Sequence, residues 1–437
     1  MKNPKIYIVK KKINCYNQSR IRRRKVKKVK QLPKEKNVAI ELWRFIIAIT
    51  IIGFHIGFII ARTCNGANGY YMIPEAKWMF GSSEVLLIFT LTAGYFLAAH
   101  YEKRNADKEY SEKTAGSRAW EYTWKRIKVL LPTLILGYII GVLFCTKFYY
   151  PNYGVKETLA MVVNSAWEFL GFHAAGLRSS GNEFFNLNGP LWFISAIIIV
   201  GYFVYYLLCK NKDLLTGLIA PFTFIFTAGW WCFTGTRAAQ TAWSTIGFQT
   251  ASTNGMGGNA GSSTATLGFN NGLIFVLVGI LGGLLIYYVV QKLKDHKYTS
   301  NEKIGLTALN GICSGLLLWY TIYLPTYFNL ERWTVALLII VVVSLTLLNQ
   351  DYLTNILNNK YTRKVFEYLG SISLEIYMLH YPIAILVITL LGKNTSATAY
   401  TFWQVFIPTT ILTLVLSGIL SLGRKAIKMI NDEKGNA

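Results

Sequence analysis

The stretch Glu41–His55, ELWRFIIAITIIGFH, decides how the chain is read. It is apolar enough to form the middle of a membrane-spanning helix, yet it holds an arginine and a histidine. Arg44 and His55 stand eleven residues apart, a rise of about 16.5 Å along a helix. Eleven steps of roughly 100° leave them about 20° out of phase, so the two share one stripe. A charged residue at the centre of a spanning helix costs about 2.5–3.5 kcal/mol on insertion scales, and such residues mark functional sites. Two on one stripe point to a polar path through a bilayer.

The surrounding chain supports that frame. Of 437 residues, 53% are hydrophobic and only 15% charged, against about 25% charged in soluble domains. A net charge of +24 would suggest nucleic acid in a soluble protein. Here the basic residues punctuate apolar runs, so nucleic acid is set aside as a partner. Ten such runs approach the ~20 residues a spanning helix needs. They fall near 38–61, 82–100, 127–145, 191–209, 214–233, 268–290, 304–323, 331–349, 366–390 and 402–423. With the N-terminus inside, cytoplasmic segments hold 36 of the 45 Lys and Arg and external segments eight, with Arg44 in the first span. That bias predicts an all-α polytopic bundle of ten helices with both termini cytoplasmic.

Three divisions follow. Residues 1–37, with fifteen Lys or Arg, read as a disordered cytoplasmic tail able to attract anionic lipid. Residues 38–425 form the transmembrane domain, and 426–437 a cytoplasmic C-terminal tail. Outside the membrane, Leu159, Val162, Val163, Ala166 and Leu170 recur at helical spacing within Val155–Phe172 and predict a surface helix. The Gly/Ser/Thr-rich segment 234–267 contains GMGGNAG, but no strand precedes it, so a flexible loop is the better reading. The six cysteines show no metal-ligand spacing, no metal site is expected, and a bond involving Cys64 stays open.

Several side chains are candidates for chemistry. Arg44 fits either a site residue or an anchor snorkelling to the interface, with Glu41 one turn away to pair with it. His55 has no acid at i±3 or i±4, so any partner comes from another helix; its ordinary pKa of about 6.5 suits a general base. His380 lies in a second span, five residues from Glu375 and just before Pro382, whose ring frees a carbonyl one turn earlier. His100, His173 and His296 map to a span end or to loops and are expected to face solvent. Lys125, Arg126 and Lys128 crowd the cytoplasmic mouth of the third span. They read either as an orientation anchor or as a clamp for the phosphates of a nucleotide-bearing acyl donor. Trp192, in GPLWFISA, fits an interfacial aromatic. Trp167, Phe172, Phe184, Phe185 and Trp243 offer external surfaces on which a sugar could stack.

Four stretches together resemble the membrane-bound acyltransferase-3 family, bacterial polytopic enzymes that move acetyl or related acyl groups onto glycans and other acceptors. ELWRFIIAITIIGFH is similar to the family's first span. FTLTAGYFL (Phe89–Leu97) is similar to its Ser-Gly-Phe segment, with Ala93 in place of the serine. NGPLWFISA (Asn188–Ala196) matches its Trp-Phe element, and LGSISLEIYMLHYPI (Leu369–Ile383) its late span with a histidine near a proline. The resemblance implies that Arg44 and His55 are functional, with His55 as base. It implies that the basic motif before the third span handles the donor. Here Arg126 keeps that motif's first position, Val129 occupies the second, and Glu41 replaces the usual aspartate. Glu41, Trp192, Glu375 and His380 would support the site. On this reading the chain is an O-acyltransferase of the bacterial cytoplasmic membrane. It carries no resident cofactor, takes acetyl-CoA or another acyl-CoA as donor, and acylates a hydroxyl of a surface glycan. The alternative is a transporter or flippase for a glycan or small anion, with Arg44 and His55 along its path; no internal repeat supports it.

Overall fold

The computed structural model describes residues 37–64, 83–146, 152–166, 188, 190–235, 245–246, 269–322, 332–391 and 399–434. The basic tail, GMGGNAG, His173 and the aromatics Trp167, Phe172, Phe184, Phe185 and Trp243 lie outside them, as does the side chain of Cys64. Nine of the apolar runs are built as α1 (Val38–Cys64), α2 (Leu87–Asn105), α3 (Ala115–Ile140), α5 (Leu191–Lys210), α6 (Ala220–Gly235), α7 (Asn271–Lys294), α8 (Ser300–Ile322), α10 (Lys360–Leu391) and α11 (Ala399–Lys434). The remaining run gives α9 (Arg332–Leu348), which with α6 is among the shorter of them, and α4 (Val155–Asn164) lies between α3 and α5. Among the described residues seven helices are long and apolar enough to cross a membrane, against the ten spans expected from the sequence, and the fold is an all-α bundle. Its only paired strands among the described residues are Thr245–Ile246 and Phe269–Asn270, two residues each.

Local chemistry explains the boundaries. Asn37 caps α1: its Oδ1 accepts from Ile40 N at 3.2 Å, while its amide donates to Thr346 O at 2.6 Å and ties the start of α1 to α9. α3 starts at Thr114, whose hydroxyl accepts from Ser117 N. α9 ends at Asn349, whose φ of 58° is the left-handed conformation asparagine tolerates at a helix stop. α11 continues as helix to Lys434, past the boundary that hydropathy suggests near 425. The expected helix is present over Val155–Asn164 as α4, with Leu159 and Val163 turned outward and Tyr138 Oη donating to Val162 O at 2.5 Å; Leu170 of the expected stripe lies outside the described residues.

Two helix pairs organise the interior: α2 packs along α7, and α10 along α1. Glycines permit both approaches. A side chain at Gly94 would strike the backbone of Ile280, and one at Gly283 the backbone of Leu91. Gly279 and Gly283 form a small-xxx-small ridge, which lets helices approach closely in lipid. Gly370 of α10 sits directly against Glu41 of α1. α10 is the central helix, with 72% of its apolar window buried; α11 is peripheral at 33% and packs on α10 and α1. We call the end where α1 begins the basal end.

Candidate active site

Contact between α1 and α10 places the sequence's two membrane histidines together. Glu41 and Gly370 meet near the basal end, and one turn after another the pairing runs to His55 and His380. Pro382 leaves the carbonyl of Met378 without its helical donor. Asn188 supplies one: its Nδ2 lies 2.7 Å from Met378 O. Tyr377 Oη donates to Pro190 O at 2.9 Å, so the turn that starts α5 is pinned to α10 beside His380.

His380 Nε2 and His55 Nδ1 are 2.9 Å apart. His380 Nδ1 lies 3.2 Å from Ile376 O, and His55 Nδ1 lies 3.1 Å from Ile51 O. A carbonyl oxygen only accepts, so these partners assign the ring protons. Both Nδ1 atoms carry hydrogen, His380 Nε2 accepts from His55, and His55 Nε2 is left as the unprotonated nitrogen. His380 is fully buried and His55 half-buried. Phe54 and Tyr381 stand edge-on to His55, with ring centroids at 5.3 and 5.9 Å.

Towards the basal end the stripe is aromatic, then charged. Tyr377, Phe193 and Phe89 form a cluster with centroids 5.4–6.4 Å apart, and Tyr377 lies 5.8 Å from His380. Trp192 packs edge-on against Phe193 and is buried. Arg44 lies over Phe89 at 6.0 Å and pairs with Glu41 at 3.2 Å. The four sequence stretches thus converge on one column. Glu375 takes a different partner, Arg424 of α11.

The basic mouth is divided among several partners. Lys125 Nζ is held by Glu121 at 2.8 Å, Arg126 lies 4.4 Å over Tyr122, and Lys128 lies 5.5 Å over Trp124. Glu121 also binds Arg104 and Lys113 at 3.3 and 3.0 Å. Trp120 and Trp124 stack on the exposed side of α3. Two solvent expectations divide here. His296 is exposed and meets Glu302, but His100 is half-buried and contacts Tyr205 Oη at 3.0 Å. Sequence reading passed over Asn188 and Tyr377. A polar Asn one residue before Gly-Pro, and a Tyr one turn before His380, were the available signals.

The acyltransferase-3 family model, described as an acyltransferase domain, matches residues 37–422. The chain belongs to the acyltransferase-3 family. No curated protein and no solved structure matches it significantly. As an acyltransferase-3 protein of the membrane type, it carries its matched region from the start of α1 into α11, including every element of the histidine column.

Proposed function

We propose that this protein is an integral-membrane O-acyltransferase that moves an acyl group, acetyl in the simplest case, from acyl-CoA to a hydroxyl of a cell-surface glycan. The bias of basic residues supports a cytoplasmic basal end in a bacterial cytoplasmic membrane. Acyl-CoA docks there, with Lys125, Arg126 and Lys128 meeting its phosphates and Arg44 further in. The acceptor enters from the opposite face.

The observation that carries this reading is the His55–His380 contact. His55 Nε2 takes the proton of the acceptor hydroxyl. The oxygen attacks the thioester carbonyl, a C–O bond forms as the C–S bond breaks, and the departing thiolate takes the proton back from His55. While His55 is an imidazolium, its Nδ1–H stays directed at the lone pair of neutral His380, which holds the ring in place. A positioned base contributes about 10²–10⁴-fold. Membranes containing the protein, given radiolabelled acetyl-CoA and the host's surface glycan, should lose that factor in His55→Ala at equal protein level. Full transfer by a folded His55→Ala protein would remove the assignment.

A further inference from the structure

α11 is built inside out for a helix in contact with lipid. Ile407, Ile411, Val415, Ile419 and Leu422 point outward, whereas Thr409, Thr413 and Ser417 are fully buried. The hydroxyls of Thr409, Thr410, Thr413 and Ser417 have no hydrogen-bond partner. Other buried helical hydroxyls fold back on their own backbone, as Thr50, Thr92 and Thr321 do at 2.6–2.9 Å; Tyr122, Thr123 and Thr133 of α3 are further unpaired hydroxyls. Leaving a buried polar group unpaired costs about 1–3 kcal/mol, so four on one helix need an explanation.

An independent group on α10 faces the same seam. Glu375 is 4% exposed and meets Arg424 through Oε1, while its Oε2 has no partner. Thr413 and Ser417 lie eleven and seven residues before Arg424, within about 20° of its direction around the helix. They therefore face the seam that Arg424 enters. From Arg424 to Thr409 the stripe rises about 22 Å, and His380 stands about 7.5 Å beyond Glu375. The stripe reaches the depth of the histidine pair. Pro408 at its upper end lacks an N–H and removes one backbone hydrogen bond, the kind of position at which helices bend.

We propose that the α10–α11 seam is the binding slot for the linear, amide-bearing arm of the acyl thioester donor. The slot opens when α11 swings about Pro408, and it leads from the basal end to His55. The proposal rests on the acyl-transfer reading and adds the donor's route. An arm of alternating amide N–H and C=O groups is the chemistry that satisfies a row of hydroxyls with a free carboxylate oxygen; a hydrocarbon chain is not. Thr413, about 6 Å further from the basal end than Ser417, meets the amide nearest the thioester. Ser417 and Glu375 Oε2 meet the more distant one.

The test compares acetyl-CoA with S-acetyl-N-acetylcysteamine, which keeps only the amide nearest the sulfur. With the full chain in liposomes, Ser417→Ala should lower the ratio of kcat/KM for the long donor to that for the short one about fivefold or more, the loss of one hydrogen bond. Ser417→Thr should restore it. Because the hydroxyl is unpaired in the closed seam, Ser417→Ala should melt no earlier than wild type without donor, yet gain less thermal stability from added CoA. An unchanged ratio, or an equal fall on both donors with earlier melting, overturns the slot while leaving the acyl-transfer reading intact. A wild-type protein that turns over neither donor overturns the acyl-transfer reading itself.

Discussion

His380 accepts a hydrogen bond from His55 across 2.9 Å and donates one through its own Nδ1–H to the carbonyl of Ile376. The chain of two links leaves only one nitrogen, His55 Nε2, free to act as base. His380→Leu should therefore lower acyl transfer about 5- to 150-fold, the value of losing an acceptor to the reacting imidazole. His380→Gln, which keeps an acceptor oxygen at similar reach, should recover part of it. Initial rates across pH for the three proteins check the assignment, because a merely structural role would move the protein's amount and not its pH profile.

Asn188→Leu removes the donor to Met378 O, the carbonyl that Pro382 frees. The orphaned carbonyl should cost about 1–3 kcal/mol. Thermal unfolding of the detergent-solubilised protein should show the loss, with a smaller loss in Tyr377→Phe, which only forfeits the bond to Pro190 O.

Gly283→Val places a branched side chain against the backbone of Leu91. Overpacking of this kind typically costs about 1–3 kcal/mol and can exceed that where backbone is struck. The fraction of monodisperse protein on size-exclusion chromatography should fall sharply. Gly305→Ala, at a position with open space around it, should not change it.

Arg424→Met strands the buried carboxylate of Glu375. Breaking a buried pair from one side costs about 3–5 kcal/mol, whereas replacing both partners by apolar groups is often neutral. Adding Glu375→Met to Arg424→Met should thus restore much of the melting temperature. A double-mutant cycle measures the coupling.

Lys125, Arg126 and Lys128 make separate contacts, so their contributions to donor binding should differ. Arg126→Gln should raise the KM for acetyl-CoA more than Lys125→Gln does, since Lys125 already neutralises Glu121. The difference should shrink at high salt, where surface charges are screened.

The sequence by itself determined the apolar runs, the all-α class, and the stripe shared by Arg44 and His55. Those properties follow from local hydropathy and from helical geometry, which need no knowledge of neighbours. Glu41 as the partner of Arg44 was legible for the same reason, since the two lie one turn apart. What only the tertiary structure decided was every contact between helices. Hydropathy gives a helix a depth but not a rotation or a neighbour, so nothing local marked His380 as the partner of His55 or Arg424 as that of Glu375. The same limit hid Asn188, which compensates a proline 194 residues later in the chain. Nor could the hydroxyls of α11 be told from ordinary threonines until the packing showed that their own helix does not satisfy them.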